Sequence, residues 1–150
     1  MEGTEASGFP LDLILAACLG IAVAMTIRML PKWLAGVPYL KPEQLQERIE
    51  ANKKRIKRKE PELVLMDVRR PTEFAKERLA GSVNIPLDDI ASGAVAAAEE
   101  MREQPIALIC ATGNRSGTAA RKMKKAGFSN LVVLDGGVAQ WKRRKLPVIS

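Results

Sequence analysis

The chain has 150 residues, of which 47% are hydrophobic and 27% are charged, and its formal net charge is +7. This length and composition fit one folded domain, and they exclude both a wholly disordered chain and a polytopic membrane protein. Aromatic residues make up only 4% of the chain. They do not alternate with basic residues as base stacking would require, so we expect no nucleic-acid partner.

The chain contains no histidine and only two cysteines, Cys18 and Cys110. These residues cannot form a disulfide framework or a zinc site of ordinary ligand spacing, and we expect neither a metal nor another cofactor. Catalysis by Ser-His-Asp or Cys-His groups is also excluded, because no other side chain has an unperturbed pKa near neutrality. Any nucleophile must therefore be activated without histidine.

The first part of the chain is apolar over residues 9–30 and carries no charge from Leu13 to Ile27. A helix over 9–30 would be about 33 Å long, and the hydrocarbon core of a bilayer is about 30 Å thick. Acidic residues precede this segment and basic residues follow it: Glu2, Glu5, Arg28, Lys32 and Lys41. The sequence therefore predicts a tail over 1–8 and a single transmembrane helix, with the C-terminal domain in the cytoplasm. A signal peptide and a buried core helix are the alternatives.

Pro31, Gly36 and Pro38 predict a linker over 31–39, in which Trp33 and Tyr39 would lie at the membrane interface. A folded domain is then expected over 40–150. Its first helix would bury an apolar stripe formed by Leu45, Ile49 and Ile56. The basic run over 53–59 is interpreted as a solvated face, or alternatively as a surface attracted to anionic lipid headgroups.

Short apolar segments bounded by turn residues predict three buried strands, Leu63–Val68, Ile106–Cys110 and Leu131–Leu134. Helical stretches are predicted at Thr72–Lys76, Leu87–Arg102, Ser116–Ala126 and Val138–Arg144. Gly127 is expected to cap the third of these helices at its C-terminus. Strands that alternate with helices are typical of an α/β fold, in which a central parallel sheet has helices on both faces.

Cys110 stands where one predicted strand ends, which is where ligands bind in such folds. The residues after it form a short loop and the start of a helix: Ala111, Thr112, Gly113, Asn114, Arg115 and Ser116. We expect the loop N–H groups and the helix N-terminus to form an anion cradle, with Arg115 completing a fork for an oxyanion. Such positive surroundings favour a thiolate at Cys110. A buried structural cysteine is the alternative interpretation.

Four motifs follow one another along the chain: Asp67-Val68-Arg69 with Pro71, Glu73 and Phe74; Gly81-Ser82-Val83-Asn84-Ile85-Pro86; the loop Cys110 to Ser116; and Gly136-Gly137 with Trp141 and Pro147. In these motifs, over roughly Leu40 to Val148, the chain resembles the rhodanese (thiosulfate sulfurtransferase) homology domain in its single-domain form. Two departures are visible. Glu77-Arg78-Leu79 replaces a common Gly-His-Ile, and Lys145 replaces a common glycine. We expect these to alter surface contacts only.

The resemblance implies a three-layer α/β domain whose catalytic Cys110 accepts a sulfane sulfur as a persulfide. The donor would be thiosulfate, a polysulfide or a persulfide, and the acceptor a thiol, a protein cysteine or cyanide. The loop Ala111 to Ser116 would bind the substrate. Asp67 and Arg69 are expected to support the fold behind this loop, by an ion pair or hydrogen bonds.

Two other functions remain open at this point. A persulfide carrier, sensor or docking module would keep the same cysteine without turnover. A cysteine phosphatase or arsenate reductase would use a thiolate, amides and an arginine, but those enzymes place the arginine six positions after the cysteine. Here that position is Ser116, and Arg115 comes one residue too early. The sequence indicates no oligomeric state.

Overall fold

The computed structural model of the chain describes residues 11–58, 62–91, 99 and 101–150. The helices are α1 (Leu11–Ala35), α2 (Pro42–Lys57), α3 (Pro71–Lys76), α4 (Leu87–Ala91), α5 (Asn114–Lys125) and α6 (Gly137–Arg143). The strands are β1 (Tyr39–Leu40), β2 (Val64–Asp67), β3 (Ser82–Asn84), β4 (Ile106–Ile109) and β5 (Leu131–Leu134).

The strands form one five-stranded sheet in the order β1-β5-β4-β2-β3, and every pairing is parallel. In the centre, Asp67 at the end of β2 lies opposite Ile109 at the end of β4. The parallel sheet predicted from the sequence is therefore confirmed. The sequence pattern did not predict β1 and β3, because strands of two and three residues are too short to show a period.

The core lies on both faces of this sheet, because successive residues of a strand point to opposite sides. Leu108 and Cys110 belong to the cluster that packs with Ala119 and Met123 of α5. Ile109 belongs to the opposite cluster, together with residues of α2 and α6 such as Leu45 and Trp141. The result is the three-layer arrangement that the sequence predicted, with Cys110 on the α5 side.

The predicted helices are present, but the one predicted over Leu87–Arg102 is wrong at its C-terminal end. Arg102 lies in a turn, where its guanidinium donates to the Ala126 carbonyl at 2.5 Å and lies 5.0 Å from the Phe128 ring centroid. Arg102 therefore contacts the end of α5 from a position beyond the end of a helix. Residues 92–98 of this prediction lie outside the described residues. Gly127, with φ +95°, follows α5 in the capping role predicted for it.

The predicted membrane-spanning segment does not agree with the structure. Within the ranges that the structure describes, no helix is both long enough and apolar enough to cross a bilayer. The predicted single-pass localisation, with the C-terminal domain in the cytoplasm, is therefore wrong. The predicted tail over 1–8 lies outside the described residues.

The residues predicted as a linker are largely structured. Helix α1 continues through Pro31 to Ala35 and contacts α5, and Lys124 donates to the Gly36 carbonyl at 2.7 Å. Tyr39 belongs to β1, opposite Val133. Because it is held in the sheet, Tyr39 is a residue of the folded domain and does not have the interfacial position predicted for it.

Lys145 is the one residue other than glycine in the described ranges that has a positive φ, at 56°. A side chain in this left-handed region costs about 1–2 kcal/mol, which a glycine avoids at some entropic cost. We expect Lys145→Gly to stabilise the protein by about 0.5–1 kcal/mol. Urea denaturation measures the effect. Lys145→Ala is the control, because it removes the charge but keeps the Cβ, and an equal gain in that variant would contradict the strain argument.

Candidate active site

Cys110 directly follows β4 and is 1% exposed. Its carbonyl accepts a hydrogen bond from the Val138 N–H at 2.8 Å, and the Ala111 carbonyl accepts one from the Ala139 N–H at 3.0 Å. Both donors lie in the first turn of α6. The start of α6 therefore fixes the backbone at the point where the chain leaves the sheet and enters the loop.

This contact requires the glycine at position 137. Gly137 has φ +59°, and a Cβ built there would collide with the carbonyl oxygen of Cys110 and with the backbone of Ala111. Neither of these backbone groups can move aside as a flexible side chain would. The Gly136-Gly137 motif thus acts on the site by letting two backbones approach each other closely.

The sulfur of Cys110 accepts two backbone hydrogen bonds. The Gly113 N–H lies 3.0 Å from Sγ and the Ser116 N–H lies 3.4 Å from it. Ser116 is in the first turn of α5, so the positive end of that helix faces the sulfur. Amide donors and a helix N-terminus both stabilise an anionic sulfur, and they do so without a histidine.

Ser116 also carries an unusual side chain. The residue is fully buried, and its Oγ has no hydrogen-bond partner among the described residues. Buried hydroxyl groups are nearly always paired, because an unpaired one loses its bonds to water without replacement. This hydroxyl is therefore available to a group bound beside Cys110.

The Arg115 guanidinium is already engaged by a carboxylate of the same chain. Its Nη1 and Nη2 donate to the two carboxylate oxygens of Glu73 at 2.6 Å and 2.7 Å. Glu73 Oε2 also accepts the Arg70 N–H at 3.1 Å, at the start of α3. The fork predicted for an external oxyanion is thus filled by Glu73, in the bidentate geometry that arginine and carboxylates favour.

The Glu73–Arg115 pair carries no net charge across the physiological pH range. The hydrogen bonds from Arg115 lower the pKa of Glu73 from 4.5 to about 2, in spite of an opposing effect of desolvation. The same contact raises the pKa of Arg115. Both groups are therefore charged at any physiological pH, and their charges cancel.

Asp67 and Arg69, for which the sequence predicted an ion pair or hydrogen bonds, form a buried ion pair. Arg69 Nη2 lies 2.8 Å from Asp67 Oδ2, and both residues are almost fully buried. Arg69 Nη2 also donates to the Glu77 carbonyl at 2.6 Å. Asn84 donates to the carbonyls of Asp67 and Arg69 at 2.8 Å and 2.9 Å. This network fixes the connection between β2 and α3, which carries Glu73.

A cavity of about 280 Å³ opens beside Ala111. It is lined by residues of the β2–α3 segment, the loop and α6: Arg69, Glu73, Lys76, Glu77, Ala111, Val138, Ala139 and Lys142. Lys142 donates to Glu77 at 2.7 Å, and this hydrogen bond lowers the pKa of Glu77. The cavity next to the cysteine loop therefore presents charges of both signs, most of them already paired.

The structure brings only part of the predicted loop to the sulfur. Gly113 and Ser116 contact Sγ through their amides. Thr112 and Asn114 are exposed, and Ala111 faces the cavity. The sequence showed no partner for Arg115, because Glu73 is 42 residues away. No three His, Cys, Asp or Glu side chains come together as a metal site in the described part of the chain.

Comparison with known proteins places this site in a family. The family model of the rhodanese-like domain matches residues 41–144, which is more than half of the chain. The chain belongs to the rhodanese-like domain family. The fold agrees, since a rhodanese-related protein from Thermoplasma volcanium has 28% identity and a TM-score of 0.58 over 75% of this chain and 97% of its own.

Two curated relatives carry names that refer to sulfur. MoeZ of Mycobacterium tuberculosis, provisionally named an adenylyltransferase/sulfurtransferase, is 34% identical over 71% of this chain and 25% of its own length. YrkF of Bacillus subtilis, provisionally named a sulfur carrier protein, is 36% identical over 71% of this chain and 52% of its own. The chain spans 50% and 60% of the lengths of two further relatives, from Synechocystis and Escherichia coli.

The backbone contact at Gly137 can be tested by substitution. We expect Gly137→Ala to destabilise the protein by about 1–3 kcal/mol, because strain and a backbone collision act together. Gly81→Ala is the matched control, since Gly81 has φ +77° but open space around a Cβ. Urea denaturation of both variants separates strain from collision. Equal losses would show that the contact with Cys110 and Ala111 contributes nothing.

The Glu73–Arg115 pair predicts a specific titration. A carboxylate with a lowered pKa adds stability above its unfolded-state pKa, and this stability is lost as the pH falls through the folded-state value. Here the loss runs from about pH 4.5 down to about pH 2. In Arg115→Ala, we expect the pKa of Glu73 to rise towards 4.5, measured by carbon NMR of the carboxyl groups.

Glu77 is the internal control in that titration. Its pKa is lowered by Lys142, so Arg115→Ala should leave it unchanged. An unchanged pKa at Glu73 would contradict the assigned cause.

Proposed function

We propose that this protein is a sulfurtransferase, in which Cys110 takes a sulfane sulfur from a small donor and passes it to an acceptor. The observation that carries the proposal is the sulfur of Cys110 under two amide donors at a helix N-terminus, in a chain with no histidine. Membership of the rhodanese-like family and the names of MoeZ and YrkF support it.

In the first half-reaction, the Cys110 thiolate attacks the outer sulfur of the donor. With thiosulfate, a bond forms between Sγ and the outer sulfur, the S–S bond of thiosulfate breaks, and sulfite leaves with the electron pair. With an organic persulfide, the same bond forms and a thiolate leaves. No electrons are gained or lost overall, so this step needs no redox partner.

The structure offers three groups to the resulting persulfide anion. The amides of Gly113 and Ser116 already point to the sulfur, and the α5 N-terminus adds its partial positive charge. The unpaired, buried Ser116 hydroxyl is the third group. A persulfide adds one atom beyond Sγ, and that atom is the acceptor that a buried hydroxyl needs.

In the second half-reaction, an acceptor attacks the outer sulfur and the Cys110 thiolate leaves. The acceptor is cyanide, a small thiol or a protein cysteine. Cys110 is the only cysteine within the matched region 41–144. We therefore propose that the acceptor thiol belongs to another molecule.

A persulfide carrier is the second candidate, and the name of YrkF favours it. A carrier performs the same first half-reaction, but it releases its sulfur only to a specific partner. The two functions differ in turnover. An enzyme produces many thiocyanate molecules per chain with excess thiosulfate and cyanide, whereas a carrier stops after one.

The chain offers a matched pair of variants to test the nucleophile. We expect Cys110→Ser to abolish both persulfide formation and sulfur transfer to cyanide, because a serine hydroxyl is not ionised at neutral pH. Cys18→Ser should keep both activities, since Cys18 lies exposed on α1. Intact-mass spectrometry after exposure to a polysulfide detects the added sulfur atom, and peptide analysis locates it.

Thermal unfolding of Cys110→Ser checks that the fold survives. A folded Cys110→Ser chain that still gains a sulfur atom would overturn the proposal. The proposal would also fail if the wild-type chain gained sulfur only at Cys18.

A further inference from the structure

We propose that Glu73 selects the sulfur donor: by keeping Arg115 paired, it disfavours thiosulfate and leaves the adjoining cavity to small organic persulfides that carry both ammonium and carboxylate groups. This inference rests on the proposed function of Cys110 and adds the donor class to it. It uses three observations, namely the pairing of Arg115, the charges of the cavity and its size.

The first observation concerns Arg115, the charged residue of the loop. A free guanidinium beside Cys110 would attract a dianion such as thiosulfate strongly. Here, both terminal nitrogens of Arg115 donate to Glu73, and the pair carries no net charge. Glu73 is ionised down to about pH 2, so protonation does not release Arg115 at physiological pH. Thiosulfate must compete with a carboxylate that is already bound in two places.

The second observation concerns the charges that a donor meets in the cavity. Lys142 is paired with Glu77, and Arg69 is paired with the buried Asp67. The carboxylates of Glu73 and Glu77 both belong to the lining. Among the cations of the lining that the structure describes, only Lys76 has no carboxylate partner, so a dianion gains one attraction and is repelled by the two carboxylates. A donor with charges of both signs can instead bind its carboxylate group to Lys76 and its ammonium group to Glu73 or Glu77.

The third observation is the size of the cavity. Its volume of about 280 Å³ lies just below the range of about 300–1,000 Å³ that is typical of sites for small organic molecules. Thiosulfate has five non-hydrogen atoms and would leave most of this space to water. The lining includes Ala111, the neighbour of Cys110, so an amino-acid or small-peptide persulfide with its S–S group at Cys110 would extend into the cavity with the rest of the molecule.

The chemical step is balanced. The Cys110 thiolate attacks the outer sulfur of R–S–SH, and a new bond forms between Sγ and that sulfur. The S–S bond of the donor breaks, and R–S⁻ leaves with the electron pair. The hydrogen stays on the transferred sulfur as Cys110–S–SH, which the loop amides favour in its ionised form.

The test compares two donors, glutathione persulfide and thiosulfate, on the full chain. The readout is kcat/KM for persulfide formation at Cys110. We expect the wild type to favour glutathione persulfide by at least tenfold. In Glu73→Gln, kcat/KM for thiosulfate should rise by about tenfold or more, which is the scale of one charge-assisted hydrogen bond, and the donor preference should narrow accordingly.

Glu99→Gln is the matched control. Glu99 is also paired with an arginine, Arg102, but it lies outside the cavity. The variant makes the same change in net charge, so it should leave the ratio of the two donors unchanged. An equal change in both variants would show that only the overall charge matters, and it would overturn the inference.

A second measurement does not depend on the folding of any variant. It is the donor preference of the wild type, the ratio of kcat/KM for glutathione persulfide to kcat/KM for thiosulfate. A wild-type preference for thiosulfate would overturn the inference. This outcome leaves the proposed function intact. That function fails only if neither donor places sulfur on Cys110.

Discussion

The contact between two backbones, Cys110-Ala111 and the start of α6, is the constraint on which the site depends. It consists of two hydrogen bonds, from the amides of Val138 and Ala139, and of a close approach that only a glycine at 137 permits. The contact fixes the chain as it leaves β4, so that the loop turns back over Sγ. The amides of Gly113 and Ser116 then reach the sulfur without help from any side chain.

The chain has no histidine, so no imidazole can assist the sulfur of Cys110. The groups that would stabilise an anionic sulfur are fixed dipoles, namely two N–H groups and the α5 N-terminus. The charged side chains nearby are arranged differently. Arg115, Arg69 and Lys142 are each paired with a carboxylate of the chain. The positive environment of the sulfur thus comes from backbone groups, whereas the charged side chains nearby are neutralised in pairs.

Sequence patterns predicted the fold where segments were long enough to show a period. Apolar runs indicated the strands β2, β4 and β5, an apolar stripe indicated α2, and α5 and α6 coincide with predicted helical stretches. The short edge strands β1 and β3 were missed, and the helix predicted to Arg102 was too long, because a tertiary contact with Ala126 decides the position of that arginine. The apolar run of α1 was interpreted as a membrane anchor, but among the described residues no helix is long and apolar enough to cross a membrane.

By itself, the sequence predicted the candidate nucleophile, Cys110, and the loop that follows it. Cys110, Gly113 and Ser116 are near neighbours in the chain, so a short loop can bring the two amides to the sulfur once α6 fixes the start of that loop. Only the tertiary structure decided what Arg115 binds, because its partner Glu73 lies on α3, 42 residues away in the chain. The cavity likewise joins three distant segments. Residue spacing predicts local geometry, whereas charge pairing depends on which segments the sheet brings together.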